Sequence, residues 1–273
     1  MVIAPGPEEK PLPRILHGSA ALPESASSGC ARVGRWRVSF HFVMALVMLA
    51  IVIYGFSQTI DDNLFHPSIP RPWPLYVHAA LFSAWIALYI VQTGLIAARN
   101  TALHRRLGAA WIAIGVALPI VAIAIGVVMR RFRVIHGHSS DITFLGIIIW
   151  DAVAFGVLFL LAVLWRRRPE YHRRFMFLAT CSLMTGPLSR FPLVTEHFPS
   201  TNFFWYDLIG GYTGVAALVL IAMTRDWIVQ RRVHIVYGVA LPMMVIGQAL
   251  ACAMSDHPPA LWTALARRLV GAG

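Results

Sequence analysis

Residues 142–165, ITFLGIIIWDAVAFGVLFLLAVLW, run directly into Arg166-Arg167-Arg168. About 20 mostly apolar residues suffice for a helix to cross the hydrocarbon core of a bilayer, and this stretch supplies them. Trp165 stands where the core would meet the headgroups, and arginines follow where the chain would emerge among anionic lipids. The stretch therefore reads as a membrane span. Its one charge is Asp151, which at about 1.5 Å per residue lies on the order of 13 Å inside the span. A carboxylate at that depth is costly enough to turn toward the bundle interior.

The same pattern recurs on either side, over 38–57, 74–97, 109–129, 175–194, 203–223 and 235–254. With 58% hydrophobic and 13% charged residues in 273, the chain is too apolar for a soluble domain, whose charged share is roughly a quarter. The expected fold is an all-α, polytopic transmembrane helical bundle of about seven spans. Residues 1–36 are rich in Pro, Ser, Gly and Ala without an apolar period, and read as a disordered cytoplasmic tail. Residues 37–256 form the membrane domain, and 257–273 a short external tail. The first apolar stretch begins only near Val38, which argues for a retained helix rather than a cleaved signal peptide. Pro119, Pro187, Pro192 and Pro242 fall inside predicted spans and should bend or open them.

Several functional classes are excluded. Lys10 is the only lysine, so the last span holds no Schiff-base partner for retinal. Cys30, Cys181 and Cys252 are scattered, without the spacing of a disulfide framework or a covalent haem attachment. No HExxH, P-loop or nucleophile-elbow motif appears. The net charge of +11 is spread over membrane-flanking turns, so the acidic partner is the lipid headgroup and not nucleic acid. Arg32, Arg35, Arg37, Arg99, Arg105, Arg106, Arg166, Arg167, Arg168, Arg173, Arg174, Arg225, Arg231 and Arg232 all fall on one side of the predicted topology. That places the N-terminus in the cytoplasm and the C-terminus outside. Arg130, Arg131 and Arg133 oppose this count.

A basic turn opens three of the spans: Leu103-His104-Arg105-Arg106-Leu107, Tyr171-His172-Arg173-Arg174-Phe175 and Arg231-Arg232-Val233-His234. They divide the chain into a lead helix and three hairpins, an echo that either internal duplication or the positive-inside rule produces. The first two turns, with His172–Thr180 and with Val77-His78-Ala79-Ala80-Leu81-Phe82-Ser83-Ala84-Trp85, resemble a family of predicted bacterial multi-pass inner-membrane proteins of unassigned function. The likeness extends over most of the second to seventh spans. It implies a bacterial inner (plasma) membrane and brings no activity or catalytic residue with it. The His-led turns also resemble, more loosely, those of certain b-type cytochromes.

Chemistry is expected where charge enters the membrane. Asp151, Arg190 and Asp207 fall in the outer half of their spans. One reading is structural, an Arg190–Asp207 ion pair with Asp151 hydrogen-bonded nearby. The other is a polar cluster of His78, Gln92, Asp151, Arg190, Asp207 and Tyr212 that binds a small ligand, an ion or a protein partner. A different class, a b-type haem or quinone redox protein, would draw axial ligands from His104 with His172, and from His78 with His138 or His197, because haem iron takes two imidazoles. A third is a structural or assembly subunit of a membrane complex. His136-Gly137-His138 alone is too sparse to define a metal centre. Gly210 and Gly214 form a GxxxG pair suited to close helix packing.

Overall fold

The structure, a computed structural model, describes residues 2, 39–137, 139–198 and 201–271. The expected disordered tail, apart from Val2, and His138 lie outside them. Every element among the described residues is helical. The long helices are α1 (Phe40–Ser57), α2 (Pro74–Ala97), α3 (Thr101–Ile135) and α4 (Leu145–Leu164). The chain then breaks into α5 (Pro169–Ser182), α6 (Thr185–Leu188) and α7 (Pro192–His197). A nine-residue π-helical turn, Phe204–Tyr212, leads into α8 (Thr213–Gln230), followed by α9 (Ile235–Asp256) and α10 (Ala260–Val270). Among the described residues, six segments are long and apolar enough to cross a membrane. The fifth of the expected spans is the interrupted one, and the bundle is all-α and multi-pass.

The interruption follows from Thr185-Gly186-Pro187-Leu188-Ser189-Arg190-Phe191-Pro192. Each proline lacks an N–H and clashes with the preceding turn, and the residue before Pro192 is pushed to an extended conformation. Phe191 accordingly has φ −64° and ψ 138°. Backbone polar groups freed inside hydrocarbon must find partners within the protein. Ser189 Oγ donates to Gly186 O (3.0 Å), Arg190 Nη1 donates to the same carbonyl, and Tyr206 OH donates to Ser189 O at 2.8 Å. Pro119 and Pro242, by contrast, lie inside unbroken helices.

α5 is the hub of the core. Phe177, Leu178, Ala179 and Cys181 are fully buried, packed among Met44 and Met48 of α1, Trp85 and Tyr89 of α2, Phe155 and Leu158 of α4, Val215 and Val219 of α8, and Tyr237 of α9. The surrounding helices turn apolar stripes outward, such as Val153, Val157, Leu160 and Leu164 on α4, and Val239, Met243, Ile246 and Leu250 on α9. Spacings of three and four residues put each set on one helix face, and lipid is the solvent that suits them.

Three boundaries differ from the sequence reading. α3 does not stop at Met129 but continues to Ile135, because arginine is a good helix former and the first breaker is Gly137, with φ +88°. Arg130 is then 8% exposed, its guanidinium 4.8 Å from the centre of the Phe144 ring. α5 begins at Pro169, favoured at a helix start, so His172-Arg173-Arg174 is helical and not a loop. The expected external tail 257–273 contains α10, whose Ala266 and Val270 pack with Ile142 and Val134.

Close approaches depend on glycine. A Cβ on Gly55 would meet the carbonyl of Pro187, backbone that the broken helix cannot move. Gly210 faces Val194, and Gly214 faces Leu188, so the GxxxG pair packs internally. Gly55→Ala is expected to destabilise the bundle by about 1–3 kcal/mol, the usual range for overpacking. Gly238→Ala, with nothing within 4 Å, should leave stability unchanged or raise it by up to about 1 kcal/mol through helix propensity. Thermal unfolding in detergent measures both, and equal midpoints for the two variants would contradict the packing described.

Candidate ligand- or ion-binding site

The Asp256 carboxylate accepts hydrogen bonds from the Phe203 and Phe204 amides at 2.7 and 2.9 Å. These are orphan donors at a helix start, and their capture fixes the π-helical turn that follows. Such wide turns are rare and concentrate at functional sites. Asp207 projects from this turn into the bundle, 3% exposed, and accepts from Gln248 Nε2 of α9 at 2.9 Å. Gln248 Oε1 and the Tyr212 hydroxyl are buried beside it without hydrogen-bond partners. Asp151 arrives from α4, close enough to Asp207 and Tyr212 to interact electrostatically with both. No hydrogen bond or ion pair joins Asp151 to a described residue.

The expected Arg190–Asp207 ion pair does not form. The Arg190 guanidinium is held instead by the Gly186 carbonyl and lies 4.8 Å from the centre of the Phe56 ring. The helix break thus captures the cation that sequence reasoning assigned to the carboxylates. Arg190 remains within electrostatic reach of His78 and of Tyr206, and Tyr206 in turn is within reach of Asp207. His78 packs on Phe82 with ring centroids 4.2 Å apart, its buried Nδ1 without a partner. The cluster therefore sets Arg190, with the His78 imidazole beside it, on one side and the Asp151 and Asp207 carboxylates on the other, with Tyr206 within reach of both Arg190 and Asp207. Gln92 does not belong to it: it lies near the opposite end of α2, against His104 and Gly108. Tyr206 and Gln248 were not anticipated, although Gln248 is a lone amide within an otherwise apolar span.

Of the paired histidines, His104 and His172 do meet, with ring centroids 6.4 Å apart and planes at 77°. His172 Nδ1 is 2.8 Å from Ala162 O, and the Gln92 side chain faces His104 Nδ1. His197 is exposed on α7, its Nδ1 3.1 Å from Leu193 O. No contact among the described residues joins it to His78.

A second buried polar centre lies at the end of the bundle where the arginine-rich turns gather. Arg174 donates from Nε and Nη2 to Asp226 Oδ2 at 2.9 and 2.6 Å, and from Nη1 to Glu170 O at 2.7 Å. Asp226 also accepts from Arg225 and Gln230, each at 3.2 Å. The side chains of Arg174 and Asp226 are 1% and 3% exposed. The only sequence signal for this pair was a single acid beside arginines. Hydropathy assigned those residues to loops, whereas α5 starts earlier and α8 ends later than hydropathy indicates.

Comparisons of the chain with family models, with curated proteins and with solved structures find no match. Function must be argued from the two polar centres themselves. Removing one member of a buried pair strands the other, at a cost of roughly 3–5 kcal/mol, whereas an apolar replacement of both is often neutral. Asp226→Ala should therefore unfold far more readily than wild type. The double variant Arg174→Met/Asp226→Leu should recover most of the loss. A double variant no more stable than Asp226→Ala in detergent-unfolding titrations would show that the pair contributes more than mutual neutralisation.

Proposed function

We propose that this chain is a multi-pass protein of a bacterial inner membrane, with its N-terminus in the cytoplasm and C-terminus in the periplasm. We further propose that it binds a proton or another small cation between Asp151 and Asp207. The observation that carries the binding assignment is a pair of carboxylates within electrostatic reach of each other, Asp207 buried and Asp151 partly buried, with Arg190 engaged elsewhere. Two like charges in a low-dielectric interior are strongly unfavourable without a countercharge. A shared proton or a bound cation supplies one. Gln248 Oε1 and Tyr212 OH add oxygen donors of the type hard cations prefer. The orientation is supported by the arginine-rich turns on one side and by the burial of Arg130, which removes one charge from the opposing count.

Infrared difference spectra of the purified protein, recorded against pH and against sodium, test the binding assignment. The expected signal is a protonated-carboxyl band that disappears as pH rises or sodium is added, and that is lost in Asp151→Asn and Asp207→Asn. A wild-type spectrum without such a band, and without a sodium response, would remove the proposal.

A second reading rests on the meeting of His104 and His172. With Nδ1 of His172 held by a backbone carbonyl, its Nε2 is left for a metal, the usual arrangement of a ligating imidazole. His104, whose Nδ1 faces the Gln92 amide, would have to change tautomer to complete the two-imidazole axial set of haem b. Protein from haem-replete cells would then purify with a Soret band that shifts on reduction and is lost in His104→Ala. A colourless preparation excludes this reading and leaves the carboxylate site unaffected.

A further inference from the structure

Beyond the carboxylate site, the geometry points to a binding site for one anionic phospholipid on the lipid-facing surface between α1 and α8, at the arginine-rich end. A groove of about 430 Å³ runs there, walled by Phe40, Leu220, Ile221, Thr224, Ile228 and Val229, with Arg225 partway along it, about one turn from Val229. Leu220, Ile221, Ile228 and Val229 are each about half or more exposed, so the groove opens outward. Residues 220–229 of α8 span about 14 Å of helix at about 1.5 Å per residue. That is close to the depth of one leaflet, half of a core about 30 Å thick. An acyl chain lying along the groove would therefore begin at the headgroup layer and end near the midplane.

The charges gathered around Arg225 call for an anion. Three arginines, Arg173, Arg174 and Arg225, interact electrostatically around one carboxylate, Asp226, with the uncharged His41 imidazole among them. Arg174 takes both of its side-chain bonds to that carboxylate on one oxygen, Oδ2, and Arg225 reaches only the other, at 3.2 Å. Arg173 is exposed and forms no hydrogen bond or ion pair with a described residue. His41 keeps a buried Nε2 without a partner. The Arg225 guanidinium also lies 5.5 Å from the centre of the Phe40 ring, which holds it against the groove wall. A phosphodiester accepts charge-assisted bonds from arginine, and its apolar chains match the groove walls. Charge and shape together select a lipid over a free anion.

Native mass spectrometry of the full chain, exchanged into detergent containing either phosphatidylglycerol or phosphatidylcholine, tests the site. The expected result is one tightly retained phosphatidylglycerol and no retained phosphatidylcholine, with retention unaffected by excess inorganic phosphate. Arg173→Ala should lower occupancy about fivefold, the effect of about 1 kcal/mol per basic residue near an anionic headgroup. Leu220→Trp should fill the groove and abolish retention; because Leu220 faces lipid, the lipid-free unfolding midpoint should not change. Equal retention of both lipids would overturn the site. So would phosphatidylglycerol binding indifferent to Leu220→Trp, competition by inorganic phosphate, or a wild-type protein that retains no lipid because its own chain covers the groove.

Discussion

Hydrocarbon offers no hydrogen bonds, and this chain carries a broken helix through it. Between Ser182 and Pro192 most backbone amides still pair in turns, but the Gly186 and Ser189 carbonyls are left to side chains, so the break is tolerable only if protein encloses it. That requirement explains why α5 and α6 are buried while the six continuous apolar segments pack around them. It also explains the glycines at Gly55, Gly210 and Gly214, which let α1 and the π-helical turn close upon the broken segment. The enclosing side chains are chosen by the same need. Ser189, Arg190 and Tyr206 spend their donors on backbone carbonyls at the interruption.

That use of Arg190 decides the electrostatics of the site. An arginine held by Gly186 O is not available to neutralise Asp207, and no described cation pairs with Asp151 in its place. The other buried carboxylate, Asp226, is in the opposite situation, with Arg174 doubly bonded to it and Arg225 alongside. One polar centre is therefore satisfied from within, while the carboxylates of the other form no ion pair with a described residue. Buried pairs of the first kind hold register and orientation at little net gain in stability. Uncompensated intramembrane charge is kept where something binds or moves.

The spans were legible because their signal is collective: about 20 apolar residues bounded by arginine and tryptophan have few other readings. The interruption was legible too, from Pro187 and Pro192. Its burial was not, since hydropathy reports how apolar a segment is and not whether lipid or protein surrounds it. Boundaries failed for a related reason. Hydropathy ends where charge begins, but helices do not, so α3 runs on through Arg130, Arg131 and Arg133, and α5 begins ahead of Arg173 and Arg174. Gln92 was assigned to the outer cluster although it stands in the last turns of α2, beside His104.

The Asp226 pair shows where sequence pattern stops being informative. Arg174 and Asp226 are 52 positions apart, and each sits among residues of the kind that ordinarily flank a membrane. Whether such a residue faces lipid headgroups or the bundle interior depends on helical phase, which a shift of two residues in a helix start turns by about 200° at 3.6 residues per turn. Asp151 was different, because no nearby boundary existed to explain its charge away. Deep charges announce themselves from composition alone, while charges at span ends acquire meaning only when the helices carrying them are placed.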